Sequence, residues 1–363
     1  MRVIVSGGGT GGHIYPALAL LEQLKARGLL DEVLYIGTEK GLESRIVPKA
    51  GIPFATIELQ GFKRKLTLEN VKTVTVFLQG LGKAKKILRD FKPDVVVGTG
   101  GYVSGAILFE AARLHIPTVI HEQNSVAGVT NKFLARFVDK IGIVFPEVAA
   151  AFPANKIATV GNPRAQQVAD LKPNDRLADF GLDPKRRTLL IFGGSRGAPK
   201  INQAVQEALP AFGQADFQTL FVTGRRHFES VQSQLHGLPA NVKVVPYVDD
   251  MPAILPDIAL VIGRSGATSI AELTALGIPS ILIPSPNVTH NHQMINAQSL
   301  GKAGAAVVIP ETALTADFAT TVVDLMQDDA RLVEMTRAAK HLGVPDASDR
   351  LIALMQAAIQ AHQ

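Results

Sequence analysis

Short apolar runs alternate with longer segments whose apolar residues recur at helical spacing, and this alternation continues along the whole chain. After an opening strand at Arg2-Val3-Ile4-Val5, the runs at 33–36, 94–98, 118–121 and 141–144 read as buried parallel strands. Continuous β-branched stretches of this kind suit strands covered on both faces. Past Val160-Gly161-Asn162-Pro163 the chain turns polar over 170–187, then begins again with apolar runs at 188–192, 219–222, 242–246, 258–262 and 280–283. Strand and helix in alternation predict a doubly wound α/β sheet, and here the pattern occurs twice. The glycine and proline near residue 161 mark the boundary. Leu351, Leu354, Met355 and Ile359 then stand at helical spacing after Gly343-Val344-Pro345, predicting a last helix that returns to the first domain. The expected division is therefore residues 1–161 with 344–363, and residues 162–343.

Each half also opens on a glycine-rich turn. The first is Ser6-Gly7-Gly8-Gly9-Thr10-Gly11-Gly12-His13, followed by Ala17, Leu20, Leu21 and Leu24 on one helical face. The second is Gly193-Gly194-Ser195-Arg196-Gly197-Ala198, followed by Ile201, Ala204, Val205 and Leu209. Strand, glycine turn and helix together bring backbone N–H groups up to a phosphate. Two such domains are expected to face each other across a cleft with a ligand held between them.

Composition narrows this only a little. A chain of 363 residues fits about two domains and has ample apolar content for two cores. Cysteine is absent, which removes disulfides and thiolate chemistry. No stretch reaches the roughly 18 apolar residues that span a bilayer, and no cleaved leader is expected ahead of the first strand. The net charge of +5 is modest, but Lys63-Arg64-Lys65 and Lys83-Ala84-Lys85-Lys86 concentrate it in one region. No nucleic-acid partner is expected.

The loops carry the candidate chemistry. The first glycine turn satisfies G-x-G-x-x-G, so a dinucleotide-binding oxidoreductase has to be considered. Such a fold wants an acid closing the second strand, and the nearest, Glu39, lies beyond Gly37-Thr38. His13 directly follows the glycines, within reach of whatever the loop approaches, and Pro16 is expected in the first helical turn. A further glycine loop, Gly98-Thr99-Gly100-Gly101-Tyr102-Val103-Ser104-Gly105, follows the strand at 94–98; two such loops make a mouth lined with N–H groups that suits a diphosphate. The strand at 118–121 ends in His121-Glu122-Gln123-Asn124, polar side chains where open α/β sheets bind ligands. Ser125 stands where a second zinc-ligating histidine would be needed, so zinc is rejected. In the second half, Gly263-Arg264-Ser265-Gly266-Ala267-Thr268 repeats the strand, turn and helix, with Glu272 one turn on. First-turn amides for phosphate beside a carboxylate for ribose hydroxyls read as a nucleotide site. His290-Asn291-His292-Gln293-Met294-Ile295-Asn296 adds amides and imidazoles suited to sugar hydroxyls.

Taken in order, these motifs resemble the GT-B glycosyltransferases, and within them the N-acetylglucosaminyltransferases that convert lipid I into lipid II in peptidoglycan synthesis. The resemblance covers nearly the whole chain. It rests on Gly8 to His13 with Pro16, on Gly100-Gly101-Tyr102-Val103-Ser104-Gly105, and on His121 to Asn124 with Ala127-Gly128 and Thr130-Asn131-Lys132. Gly161-Asn162-Pro163, Gly193-Gly194-Ser195 with Asn202, Arg264 to Ala267 with Glu272, and Gln293 with Asn296-Ala297 complete it. In this chain Arg164 follows Pro163 directly, where the family has a hydrophobic residue between, and His292-Gln293 stands where two glutamines are common.

The resemblance implies two Rossmann-like domains and a set of roles. The second domain would hold UDP-N-acetylglucosamine, with the backbone at Val248 on uracil, Glu272 on ribose, and Ser195 with Gly266, Ala267 and Thr268 on the diphosphate. Gln293, Asn296 and Asn124 would reach the sugar, and Thr10, Gly11, Gly12, Arg164 and Arg264 join the donor set. Gly9, Thr10, His13, Gly100, Gly101 and Tyr102 would receive the acceptor, lipid I, carried on undecaprenyl diphosphate. The family inverts, so a base must take a proton from the acceptor's 4-hydroxyl; His13 is the first assignment and Glu122 its rival. No metal or other cofactor is required if the helix starting at Ala267, with Arg264, meets the leaving diphosphate. A lipid acceptor implies a peripheral protein on the cytoplasmic face of the membrane, docking on anionic headgroups through Phe62, Lys63, Arg64, Lys65, Leu66, Phe77, Leu78, Leu81, Lys83, Lys85 and Lys86. Three other readings fit parts of the pattern: an NAD-dependent oxidoreductase, a UDP-N-acetylglucosamine 2-epimerase of similar fold, and a nucleotide-sugar sensor without catalysis.

Overall fold

The computed structural model describes residues 1–59, 68–194, 197–235, 237–315 and 317–363, with the side chains at 68–75, 77, 78 and 289 left aside. The chain forms two compact units, Met1–Arg164 with Asp346–Gln363, and Ala165–Pro345.

In the first unit, β1 (Arg2–Gly7), β2 (Glu32–Gly37), β3 (Phe54–Thr56), β4 (Val95–Gly100), β5 (Thr118–Glu122), β6 (Lys140–Ile143) and β7 (Ile157–Thr159) form one sheet in the order β3-β2-β1-β4-β5-β6-β7. Every neighbouring pair is parallel. Alternate residues enter opposite cores, as the two-residue period of a strand requires. Val3, Val5, Val95 and Val97 pack on Leu20 and Leu24 of helix Gly11–Ala26, while Ile4, Val96 and Ile120 pack on Leu88, Ile107 and Leu108 from helices Leu68–Phe91 and Tyr102–Arg113. Both faces are dry, which is why these strands carry no polar alternation.

Helix Ala347–Gln360 belongs to this unit. Leu351, Ile352, Met355 and Ala358 are buried in the core beneath helix Gly11–Ala26, whereas Ala353 and Gln356 face solvent. Asp349 anchors its outer face to Arg27.

The second unit repeats the plan with β8 (Thr188–Phe192), β9 (Gln218–Val222), β10 (Val242–Val245), β11 (Leu260–Gly263), β12 (Ser280–Leu282) and β13 (Ala306–Val308) in the order β10-β9-β8-β11-β12-β13, again parallel. Leu189, Ile191 and Ile262 meet Ile201, Val205 and Phe212 on one face; Leu190 and Val261 meet Leu273 and Leu177 on the other.

In both sheets the chain winds outward one way from the first strand and then returns to its other side. The order reverses between β1 and β4, and between β8 and β11. Loops at the carboxyl ends of such paired strands diverge to opposite faces and leave a crevice for ligands. All four glycine turns of the sequence lie at these two places.

Two expectations change. Pro16 lies inside helix Gly11–Ala26, one turn beyond its start, because the helix already begins at Gly11. Strands β3, β7 and β13, each three residues long, were not foreseen. Of the basic and apolar patch, Phe62, Lys63, Arg64, Lys65 and Leu66 lie outside the described residues, as do the side chains of Phe77 and Leu78; Leu81 is buried, and Lys83 and Lys86 are exposed.

Truncating Leu351 to alanine deletes a fully buried side chain and is expected to cost about 2–5 kcal/mol, read as a lowered urea midpoint. Ala353→Ser on the exposed face of the same helix should change stability by no more than about 0.5 kcal/mol. Equal effects would contradict the packing of this helix.

Candidate active site

The first glycine turn is held by side chains from its own unit. Gly9 has φ +82°, the left-handed conformation glycine enters without a Cβ clash. Its N–H donates to Glu43 Oε2 at 3.0 Å, and the neighbouring Gly8 N–H donates to the Gly100 carbonyl at 3.2 Å. Tyr35 Oη donates to the Gly7 carbonyl at 2.8 Å. The β1 and β4 loops touch so closely that a Cβ on Gly101 would lie 2.6 Å from the Gly8 carbonyl oxygen.

His13 stands on this frame. Its backbone carbonyl accepts from Thr99 Oγ1 at 2.7 Å, and its Nδ1 lies 2.8 Å from the Gly8 carbonyl oxygen. A carbonyl only accepts, so the proton is assigned to Nδ1 and Nε2 carries the lone pair. That second edge of the ring lies against Gly100, where a Cβ would come within 2.9 Å of Nε2. Thr10 and Gly12 beside it are exposed, and Tyr102 is 44% exposed.

The polar end of β5 is mostly turned inward. His121, Glu122 and Gln123 are buried, and Asn124 is only partly covered. Glu122 Oε1 accepts the Asn124 N–H at 3.1 Å, while its Oε2 accepts the Gly128 N–H and Asn131 Nδ2, each at 2.9 Å. Both oxygens of this carboxylate thus shape the loop that follows β5. Gln123 Nε2 donates to the Thr99 carbonyl at 2.7 Å and to His121 Nδ1 at 3.0 Å; His121 Nε2 donates to the Gly161 carbonyl at 2.8 Å. Burial of the ring disfavours its charged form and lowers the His121 pKa to about 4, against a smaller upward effect of the Gly161 hydrogen bond.

At the end of this unit, Asn162 Oδ1 accepts the Arg164 N–H at 3.1 Å, and the Arg164 guanidinium lies 5.8 Å from the centre of the Tyr15 ring. Arg164 therefore stacks on helix Gly11–Ala26 in this unit.

In the second unit, Gly194 and Gly197 have φ +80° and +73° and are joined by a 3.0 Å hydrogen bond from Gly197 N–H to the Gly194 carbonyl. Ser195 lies outside the described residues. Helix Ala267–Leu276 begins after Gly266 in extended conformation; Ala267 and Glu272 on it are buried, and Thr268 Oγ1 is buried without a hydrogen-bond partner. Ser265 Oγ donates to the Gln293 carbonyl at 2.8 Å, and Asn296 Nδ2 donates to the Ser265 carbonyl at 3.2 Å. These bonds brace helix His292–Lys302 against the β11 loop. Gln293 Oε1 accepts the Ser285 N–H at 2.8 Å. The Arg264 guanidinium donates to the Ile283 carbonyl at 3.1 Å and is ion-paired with Glu311, so its charge is already balanced. Val248 is buried after β10. The fold thus gathers Arg264, Ala267, Thr268, Gln293 and Asn296 around one helix start, with Glu272 more than one turn further along the same helix.

Sequence reading missed Glu43. It is 1% exposed, whereas Glu39, the acid expected after β2, is exposed. Burial opposes ionisation of Glu43, but hydrogen bonds from the Gly9 N–H and from Thr38 outweigh it and hold the carboxyl below the usual carboxylate range. Its only signal in the chain is an acid opening a short helix after Gly41. Among the described residues no cluster of His, Asp and Glu is arranged to hold a metal, and no helix is long and apolar enough to cross a membrane.

Comparison with known proteins agrees with these two units. Residues 3–143 match the glycosyltransferase family 28 N-terminal domain, and residues 188–351 match the glycosyltransferase family 28 C-terminal domain. The chain belongs to glycosyltransferase family 28. A relative from Lacticaseibacillus casei is 69% identical over 98% of both chains and is named UDP-N-acetylglucosamine--N-acetylmuramyl-(pentapeptide) pyrophosphoryl-undecaprenol N-acetylglucosamine transferase. One of the same name from Lactiplantibacillus plantarum is 57% identical over 99% of this chain and all of its own. The crystal structure of MurG from Acinetobacter baumannii is 30% identical, with a TM-score of 0.77 over 98% of this chain and 99% of that one. A UDP-GlcNAc 2-epimerase from Neisseria meningitidis, 14% identical with a TM-score of 0.68 over 98% of this chain and 100% of its own, shares the fold alone. The GT-B architecture expected from the motifs is the one family 28 has.

The neutral, buried His121 gives this family 28 chain a defined pH response. Its pKa is near 6.5 in an unfolded chain and about 4 here, so across that window the unfolded state binds a proton that the folded state does not. Stability should therefore be complete above about pH 6.5 and fall as pH falls towards about 4, by on the order of 3 kcal/mol for this group. Urea denaturation at a series of pH values should show a weaker dependence in His121→Gln; an identical slope would refute the assignment.

Proposed function

We infer that this protein is an inverting hexosyltransferase that moves N-acetylglucosamine from UDP-N-acetylglucosamine to the 4-hydroxyl of the muramyl sugar of lipid I, giving lipid II. The observation that carries this is identity of 69% along 98% of the chain to an enzyme of that name. A 2-epimerase reading has only fold likeness behind it. The oxidoreductase reading rests on the first glycine turn alone and gains nothing from the buried carboxylate after β2, because Glu43 accepts from the Gly9 N–H and from Thr38.

The first unit receives the acceptor, with Gly9, Thr10, Gly100, Gly101 and Tyr102 around its diphosphate and sugar. His13 is the base in this reading, and Glu122 is not, since three donors already occupy the Glu122 oxygens while His13 Nε2 keeps its lone pair. The acceptor's hydroxyl oxygen attacks the anomeric carbon, its proton passes to Nε2, and UDP leaves with the bonding pair from the opposite side.

The second unit holds the donor. Glu272 takes the ribose hydroxyls, the backbone at Val248 reads uracil, and Gln293 and Asn296 with Asn124 take the sugar; Thr10, Gly11, Gly12, Arg164 and Ser195 complete the donor set. Because Gln293 Oε1 is engaged by Ser285, its amide nitrogen is the group left to address a sugar oxygen. First-turn amides at Ala267 and Thr268 meet the charge that grows on the departing diphosphate, a task that needs no metal, while Arg264, paired with Glu311, braces the turn behind them. The lipid-linked acceptor places the enzyme peripherally at the cytoplasmic face of the membrane, docked through the region from Phe62 to Lys86.

Purified protein given UDP-N-acetylglucosamine and a lipid I analogue should form the disaccharide product at a rate unaffected by EDTA. His13→Ala should lower kcat by about 10²–10⁴-fold while calorimetric binding of UDP-N-acetylglucosamine stays unchanged. No product, or formation of UDP-N-acetylmannosamine from donor alone, would sink the reading.

A further inference from the structure

The reaction as described makes no use of Glu43, yet this charged side chain is buried in the first unit and aimed at the site. It opens helix Glu43–Lys49. Its Oε1 accepts the Thr38 N–H at 3.0 Å and the Thr38 hydroxyl at 2.7 Å, and its Oε2 accepts the Gly9 N–H at 3.0 Å. The Gly9 N–H and the Gly8 carbonyl are the two ends of one peptide group. At the other end of that group, the Gly8 carbonyl accepts from His13 Nδ1 at 2.8 Å. Carboxylate, peptide and imidazole therefore stand in one hydrogen-bonded line.

We propose that Glu43 is a positioning residue for the transfer reaction: through the Gly8–Gly9 peptide its carboxylate holds His13 in the Nδ1–H tautomer and stabilises the positive charge the ring acquires at Nε2. This rests on the reading of His13 as the base.

The physics is that of a carboxylate orienting a catalytic histidine, with one peptide group interposed. A negative charge on the N–H end draws electron density towards the carbonyl oxygen, and hydrogen bonds in a chain polarise one another. As the acceptor's O–H bond breaks and Nε2–H forms, the ring gains one positive charge and Nδ1 keeps its proton. The carboxylate of Glu43 supplies the balancing negative charge. The line has little slack: a Cβ on Gly8 would lie 2.4 Å from Glu43 Oε1 and one on Gly41 2.1 Å from it. Thr99 Oγ1 fixes the His13 backbone from β4, and Tyr35 fixes the Gly7 carbonyl from β2, so the ring and the peptide are each held from a second side.

The test uses the full chain with UDP-N-acetylglucosamine and a lipid I analogue. Glu43→Gln keeps the shape and removes the charge; it should lower kcat by about tenfold or more while the KM for UDP-N-acetylglucosamine stays the same. Glu43→Asp, which keeps the charge, should recover part of that loss. In the unaltered protein at neutral pH, ¹⁵N resonances of His13 should report a protonated Nδ1, a readout independent of how well any variant folds. An Nε2–H tautomer, a wild-type kcat in Glu43→Gln, or a Glu43→Asp as slow as Glu43→Gln would overturn the proposal. His13→Ala separates the two readings: if it retains kcat, the base assignment itself fails, whereas loss of turnover in His13→Ala with none in Glu43→Gln removes only the role of Glu43.

Discussion

Where a parallel sheet reverses its strand order, two chains leave neighbouring strands for opposite faces, and the backbone groups they strip from the ladder still need partners. Buried amides and carbonyls are almost never left unpaired. At the ends of β1 and β4 this demand is met by the Gly8 to Gly100 bond, by Tyr35 on the Gly7 carbonyl, by Glu43 on the Gly9 N–H and by Gln123 on the Thr99 carbonyl. The glycines follow from the same constraint, since a Cβ on Gly101 would meet the Gly8 carbonyl oxygen at 2.6 Å. His13 is placed by this accounting: its own carbonyl satisfies Thr99, and its ring satisfies Gly8.

The second unit meets the same topological demand with different chemistry. There the braces are amides and hydroxyls: Asn202 on the Thr223 carbonyl, Ser265 on the Gln293 carbonyl, and Asn296 on the Ser265 carbonyl. Neutral braces leave the positive end of helix Ala267–Leu276 undiminished, and Arg264 beside it is paired directly with Glu311. In the first unit a carboxylate sits directly under the glycine turn. The two turns thus differ in electrostatic sign: the helix start at Ala267 keeps its full attraction for an anion, whereas Glu43 offsets part of that attraction at the Gly9 turn.

This contrast marks how far the sequence could be read. Strands buried on both faces announce themselves as unbroken β-branched runs, and glycines at their ends announce the turns, so both sheets and all four loops were legible. β3, β7 and β13 were not, because each is a short, partly exposed strand at the edge of its sheet, whereas β12, equally short, is fully buried between two neighbours. The polar run at 121–124 was visible as chemistry, but nothing in it says that His121 and Gln123 turn inward. Glu43 was harder still. It acts on a loop more than thirty residues earlier, and its burial depends on how helix Glu43–Lys49 packs against β2, a tertiary fact without a local pattern.

The same logic explains why a histidine occupies a fully buried place in β5. A neutral imidazole donates at one nitrogen and accepts at the other, across a rigid ring, so it can join an amide donor to a carbonyl acceptor that neither could reach alone. His121 accepts from Gln123 and donates to Gly161, while Gln123 also holds Thr99, whose hydroxyl holds His13. Gly161 has φ +73° and precedes Asn162, which caps the start of helix Pro163–Ala169 through the Arg164 N–H. One hydrogen-bonded path therefore runs from His13 to the point where the chain leaves the first unit. An apolar residue at 121 would pack as well, but it would leave the Gly161 carbonyl and the second Gln123 proton without partners in a dry interior, and each such orphan costs on the order of 1–3 kcal/mol.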